Sequence, residues 1–130
     1  MDKTCGLTHF KDTSTWFGMV SKVRANMRTC SKTTLVKAEL RDDGTIGIHI
    51  ATDCDNVRQY AKLLGDTVTI EDCTDYRNSR IFADDIRMVL SLPCLVPSTV
   101  INAASMEAGL LTTSCAKRAG SNDNEFVLDE

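Results

Sequence analysis

Residues 34–51, TLVKAELRDDGTIGIHIA, restrict the fold more than any other stretch of the chain. Val36, Ala38 and Leu40 alternate with polar neighbours, and Ile46, Ile48 and Ile50 do the same beyond Asp43-Gly44. A period of two marks a half-buried strand, and Asp-Gly tolerates the positive backbone angles of a tight turn, so the stretch predicts a β-hairpin. One apolar face of such a hairpin must be covered by other elements, because two strands alone are marginal in water. His49 is one residue out of step with the isoleucines and is expected on the opposite, solvated face.

The covering elements are read from helical spacing. Val57, Tyr60, Ala61 and Leu64 form one face of a helix that begins after Cys54, and Gly65 can stop it. Pro97 and Ser98 are start signals for a second helix, with Val100, Ile101, Ala104 and Ala108 along its stripe and an end near Gly109. Between them, DTVTIEDC suggests a strand through Val68 and Ile70, and FADDIRMVL a short helix with Ile86, Val89 and Leu90 inward. Upstream, Trp16, Val20, Val23 and Met27 predict a helix over 14–28, capped by Asp12, Thr13 or Ser14. The expected architecture is one α+β domain: an antiparallel sheet built on the hairpin, with the helices beginning near 55 and 97 packed on one face. The helix over 14–28 would extend that layer or serve an oligomer interface.

The chain has 130 residues, enough for one core and not two. Its net charge of -3 argues against a general nucleic-acid binder, which would carry a basic excess. The opening MDKTCGLTHFKD has no apolar signal core, and MVLSLPCLV is too short to span a bilayer, so the expected location is the cytoplasm, away from membrane. Phosphate-binding glycine loops, G-x-S-x-G elbows and H-E-x-x-H pairs are absent from the sequence. The acids of RDD and ADD are accounted for by a turn and a helix start. An autonomous hydrolase is therefore not expected.

The six cysteines stand at 5, 30, 54, 73, 94 and 115, with no C-x-x-C pair, so any shared site must be assembled by folding. Cys54 and Cys94 each precede a helix start. Free N–H groups and the helix dipole at such an end favour a thiolate, the form that binds metal or attacks electrophiles. Asp53 and Asp55 oppose a second negative charge beside Cys54 unless a cation lies among them. Three readings stay open: metal binding, thiol chemistry such as sulfur carriage, and plain buried packing.

From Cys30 to Leu111 the chain resembles a family of small, uncharacterised three-cysteine proteins of methanogenic archaea and anaerobic bacteria. Cys30 ahead of the hairpin, TDC ending at Cys54, and PCLVPSTVINAASMEAGL around Cys94 carry the resemblance. It implies a trio of Cys30, Cys54 and Cys94, with residues 1–29 an added N-terminal helical extension, 30–111 the three-cysteine core and 121–130 an acidic tail. More distantly, the chain is similar to NifU/IscU-type iron-sulfur scaffolds, although Lys32, Asp53, Asp55 and Pro93 stand where those carry an aspartate, glycines and a histidine. Three converging thiols can hold zinc with an open fourth position or an iron-sulfur cluster, with Asp53 or Asp55, the nearest acids, or His49 to complete the shell, so the expected function is a metal or cluster binding carrier or accessory factor. Cys5, Cys73 and Cys115 are then packing or surface thiols.

The reading of a different class is a non-enzymatic protein–protein interaction module with structural cysteines. Between Thr13 and Ala38 lie Lys22, Arg24, Arg28, Lys32 and Lys37 with no acid, while SNDNEFVLDE ends the chain with four acids and no base. Such a separation suits an acidic protein partner or a homo-oligomer in which a neighbouring copy's tail meets the basic side.

Overall fold

The expected hairpin lies at the centre of the sheet in the computed structural model, which describes residues 20–128. Strands β1 (Ser21–Met27), β2 (Lys32–Leu40), β3 (Ile46–Thr52) and β4 (Thr67–Val68) form one antiparallel sheet in sequential order. Register in the hairpin pairs Val36 with Ile50, Ala38 with Ile48 and Leu40 with Ile46, so the alternation of both strands addresses the same face. Gly44 takes a φ of 88° at the turn. Asp43 Oδ1 accepts hydrogen bonds from Thr45 N at 3.0 Å and Thr45 Oγ1 at 2.7 Å. The Thr45 hydroxyl and N–H together hold the Asp43 carboxyl below its ordinary value.

Residues 21–27 correct the expectation of a helix over 14–28: they form β1, whereas 14–19 and the proposed caps Asp12, Thr13 and Ser14 lie outside the described residues, as do Cys5 and His9. The segment also satisfies a period of two. Ser21, Val23, Ala25 and Met27 turn toward the core while Lys22, Arg24 and Asn26 are exposed, and all seven residues pair with β2, from Ser21 with Ala38 to Met27 with Lys32. The waiting edge of β2 decides between two periodicities that the short segment meets equally.

Helices α1 (Asp55–Leu64), α2 (Ile70–Thr74), α3 (Asp84–Arg87), α4 (Val96–Glu107) and α5 (Thr113–Ala119) complete the fold. Helix α4 crosses β1 and β2, and α1 lies against β3. Val57, Tyr60 and Leu64 from α1 and Val100, Ala103 and Ala104 from α4 join Val36, Ile46 and Ile48 in one core, so both helices cover the same sheet face. Buried Glu107 ties α4 to the strands, accepting from the Ser21 hydroxyl and from Leu40 N at 2.9 Å.

Ile70 does not extend a strand as expected, because β4 ends at Val68 and Thr69 starts α2. Thr69 and Asp72 form a reciprocal capping box, which satisfies orphan N–H groups at the helix start. Helix α3 is a single turn within the longer segment expected, and α5, capped by Thr112 accepting from Cys115 N at 3.1 Å, was not anticipated. No helix among the described residues is long and apolar enough to cross a membrane.

Candidate functional site

Antiparallel pairing brings the start of β2 and the end of β3 together. Thr34 and Thr52 are register partners with their hydroxyls 2.8 Å apart. Just beyond them, Asp53 Oδ1 accepts from Thr33 N at 3.1 Å and the Asp53 carbonyl from Lys32 Nζ at 3.4 Å. Cys30 stands in the β1–β2 turn at this end, exposed, with its sulfur 3.8 Å from the Met27 carbonyl. Ser31 beside it takes a left-handed φ of 59°.

Cys54 occupies the N-cap of α1, yet its side chain makes no capping bond. Its backbone N–H instead donates to Thr52 Oγ1 at 3.1 Å, and its half-buried sulfur packs on the core, as does that of Cys94. Cys94 lies two residues ahead of α4. Burial pushes its thiol up; the Val96 N–H bonded to the sulfur opposes this, the charges of Cys54 and Cys30 add to it, and Arg87 opposes it. The Cys94 charge also acts on Tyr60, whose hydroxyl proton is held mainly by burial. Cys94 therefore has Cys54, Cys30, Tyr60 and Arg87 within electrostatic reach.

The expected zinc or iron-sulfur site on this trio is overturned. Among the described residues no group of three or more His, Cys, Asp or Glu side chains is arranged to hold a metal ion. The acids proposed to complete the shell are turned to other work: Asp53 receives the Thr33 N–H, and Asp55 pairs with Arg58 one turn along α1. His49 is exposed on the far side of the sheet, as its position in the alternation implied. A cysteine order along the chain specifies which residues share an end of the sheet, but ligation requires side-chain positions good to tenths of an ångström.

Of the remaining thiols, Cys115 is held in a disulfide and is neither a packing nor a surface thiol. Cys73 is free and half-buried; burial, then the Asp72 charge, raise it from 9.0 to about 11 against a hydrogen bond with Ser105. A thiol raised on folding keeps its proton where the unfolded chain has lost it. Stability is then fully present below pH 9 and is expected to fall as the pH rises toward about 11. Urea midpoints should decline over that window and decline less in C73A; a midpoint unchanged from pH 8 to 11 would contradict this account.

The opposite face of the sheet carries a second constellation. Register aligns Lys22, Lys37 and His49 in one row, flanked on one side by Arg24, Leu35 and Ala51 and on the other by Gly47 and the exposed acid Glu39. Lys22, Arg24, His49 and Ala51 are exposed, and Lys37 and Leu35 half-buried. The Arg41 side chain lies across Gly47 on this face, so close that a Cβ there would meet its Nη2 at 2.8 Å. Among the described residues the ion pairs are Arg58–Asp55 and Arg80–Asp72, and neither involves these cations. No helix of the described residues covers this face, since α1 and α4 share the core on the other. Sequence reading found the basic run but, taking 14–28 as helix, did not place Lys22, Arg24 and Lys37 on one plane. The alternation within SKVRANM was the signal.

Fold and surface define a small α+β protein with helices on one side of a four-stranded antiparallel sheet and, among the described residues, a largely basic other side that no helix covers. The chain belongs to a family of unknown function, DUF6951, whose model matches residues 21–119, from the first residue of β1 to the last of α5. No curated protein and no solved structure matches it.

Proposed function

We propose that the protein is a non-enzymatic protein–protein interaction module that docks an acidic segment of another protein on the open sheet face. The observation that carries this reading is the alignment of exposed Lys22 and Arg24 with half-buried Lys37 on one sheet face, with Arg41 and His49 beside them and Glu39 the one acid in the neighbouring row. Leu35 and Ala51 supply a small apolar strip beside the cations, in the same row as Arg24, which suits a segment mixing acids with apolar residues. Like charges gathered on one plane repel each other, and an acidic partner relieves that repulsion while steering association. Cys54 and Cys94 serve this reading as part of the core beneath the sheet.

The test uses the full chain and a fluorescent peptide that alternates glutamate with phenylalanine, followed by anisotropy. Binding should weaken with salt, because exposed charges are screened within about 8 Å at physiological ionic strength. The triple variant K22E/R24E/K37E should weaken it by about tenfold or more while the far-UV spectrum is retained, since each exposed pair contributes about 0.2–1 kcal/mol and reversal adds repulsion. Equal affinity in the folded triple variant would refute docking on this face. Asp123 and Glu125 lie in an exposed segment that continues into Phe126, Val127 and Leu128. If removing residues 121–130 converts an associating chain to a monomer, the acidic segment is that of a second copy.

A further inference from the structure

Strand β1 borders the sheet. Among the described residues it pairs with β2 alone, along all of Ser21–Met27, so alternate N–H and C=O groups turn outward with no strand there to receive them. Its two sides differ in chemistry. Lys22, Arg24 and Asn26 are exposed on the open face, whereas Ala25 is buried and Val23 packs on the core on the side that α4 crosses. At the other end of the chain, residues 121–128 follow α5 without helix or strand and are exposed throughout. Phe126, Val127 and Leu128 are 74%, 78% and 75% exposed, and a contiguous apolar run in water marks a segment that associates with something.

We infer that the C-terminal segment of a second copy adds to the free edge of β1 as a fifth strand, an inference that rests on the docking reading and gives it a partner and a mode. With a period of two, Asp123, Glu125, Val127 and Asp129 fall on one side of the segment and Phe126 and Leu128 on the other. Residues 123–129 match β1 in length. Laid along β1, the acidic side continues the open face beside Lys22 and Arg24, and Phe126 and Leu128 continue the core side beside Val23 and Ala25. A slip of one residue would exchange the two sides, so side-chain chemistry selects the register. Main-chain hydrogen bonds give such an addition its affinity and the alternating side chains its specificity. A second β1 suits this edge poorly. An antiparallel pair centred on Arg24 sets that residue opposite itself, and one centred on Val23 sets Lys22 opposite Arg24, and like charges directly opposite repel. Each copy offers the β1 edge and a tail, so reciprocal exchange closes a dimer.

The full chain is the probe, followed by sedimentation velocity from micromolar to millimolar concentration and by amide exchange in the same samples. A dimer is expected at the upper end, with amides of Ser21–Met27 and of 123–129 exchanging more slowly than in the dilute monomer. The full-length variants D123K/E125K and K22E/R24E should each raise the dimer dissociation constant by about tenfold or more, because attractions between the tail and β1 become repulsions. Combining all four substitutions reverses both sides and should restore most of the association. Far-UV spectra check that the variants are folded. A chain monomeric throughout, a dimer untouched by D123K/E125K, no rescue in the combined variant, or β1 amides as slow in the monomer as in the dimer would each overturn the inference. The glutamate–phenylalanine peptide separates it from the reading it rests on. If the peptide binds the open face while the chain stays monomeric, docking stands and the second copy's tail is excluded; if the peptide also fails to bind, both fall.

Discussion

Replacing Tyr60 by alanine is expected to destabilise the protein by about 3–5 kcal/mol, the range for removing a large buried aromatic ring. Tyr60 is fully buried on α1, and its hydroxyl donates to the Ile81 carbonyl at 2.8 Å. The ring fills the space between α1, the strands and the segment leading to α3, while the hydroxyl satisfies a carbonyl that packing has removed from water. Y60F separates the two contributions: it keeps the ring, removes the hydrogen bond and should cost about 1–3 kcal/mol, the penalty for an orphaned buried acceptor. Domains of this size are stable by about 5–15 kcal/mol, so the alanine variant should sit near the edge of folding. Urea unfolding of both variants checks this, and an alanine variant no weaker than Y60F would mean that the ring is not packed as described.

D72A is expected to cost about 3 kcal/mol, since two backbone donors lose their acceptor and each orphaned group costs about 1–3 kcal/mol. Asp72 is buried, with Oδ2 accepting from Thr69 N at 2.9 Å and Oδ1 from Arg80 N at 2.9 Å. Its backbone carbonyl accepts from the Ser79 hydroxyl at 2.6 Å, so one residue holds both ends of the loop between β4 and Ile81. Asparagine presents a single acceptor oxygen and should recover only part of the loss. The effect should be local: tryptic cleavage after exposed Arg77 and hydrogen exchange over 69–80 should accelerate before the strands loosen. Strands and loop opening together would show instead that Asp72 holds the whole domain.

The hairpin and the two helices were legible because each displays one period and a punctuating residue. Val36, Ala38, Ile46 and Ile48 alternate around Asp43-Gly44, and Val57, Tyr60 and Leu64 return to one helix face before Gly65. The segment that became β1 was misread because Val23 and Met27, four apart, fit a helix as well as a strand. The start of α2 was visible in Thr69-x-x-Asp72, but the apolar Ile70 after Val68 spoke for a longer strand. Side-chain ligation was beyond any such pattern: which acid bonds Thr33 and which pairs with Arg58 depends on rotamers set by neighbours distant in the chain.

The sequence by itself determined the α+β class, the central hairpin and its register, and the placement of Cys54 and Cys94 at helix starts. Those features follow from local periodicity, turn chemistry and capping, which act over a few residues. Tertiary structure alone decided that 21–27 is a strand, that its cations lie in one plane with Lys37 and His49, and that among the described residues the cysteine neighbourhood has no arrangement for a metal. Each of these depends on what a distant segment offers: the free edge of β2 for pairing, the side of the sheet that α1 and α4 take, and a β2 backbone N–H that engages Asp53. Periodicity tells a residue which side to face, and only its neighbours in space determine what it meets there.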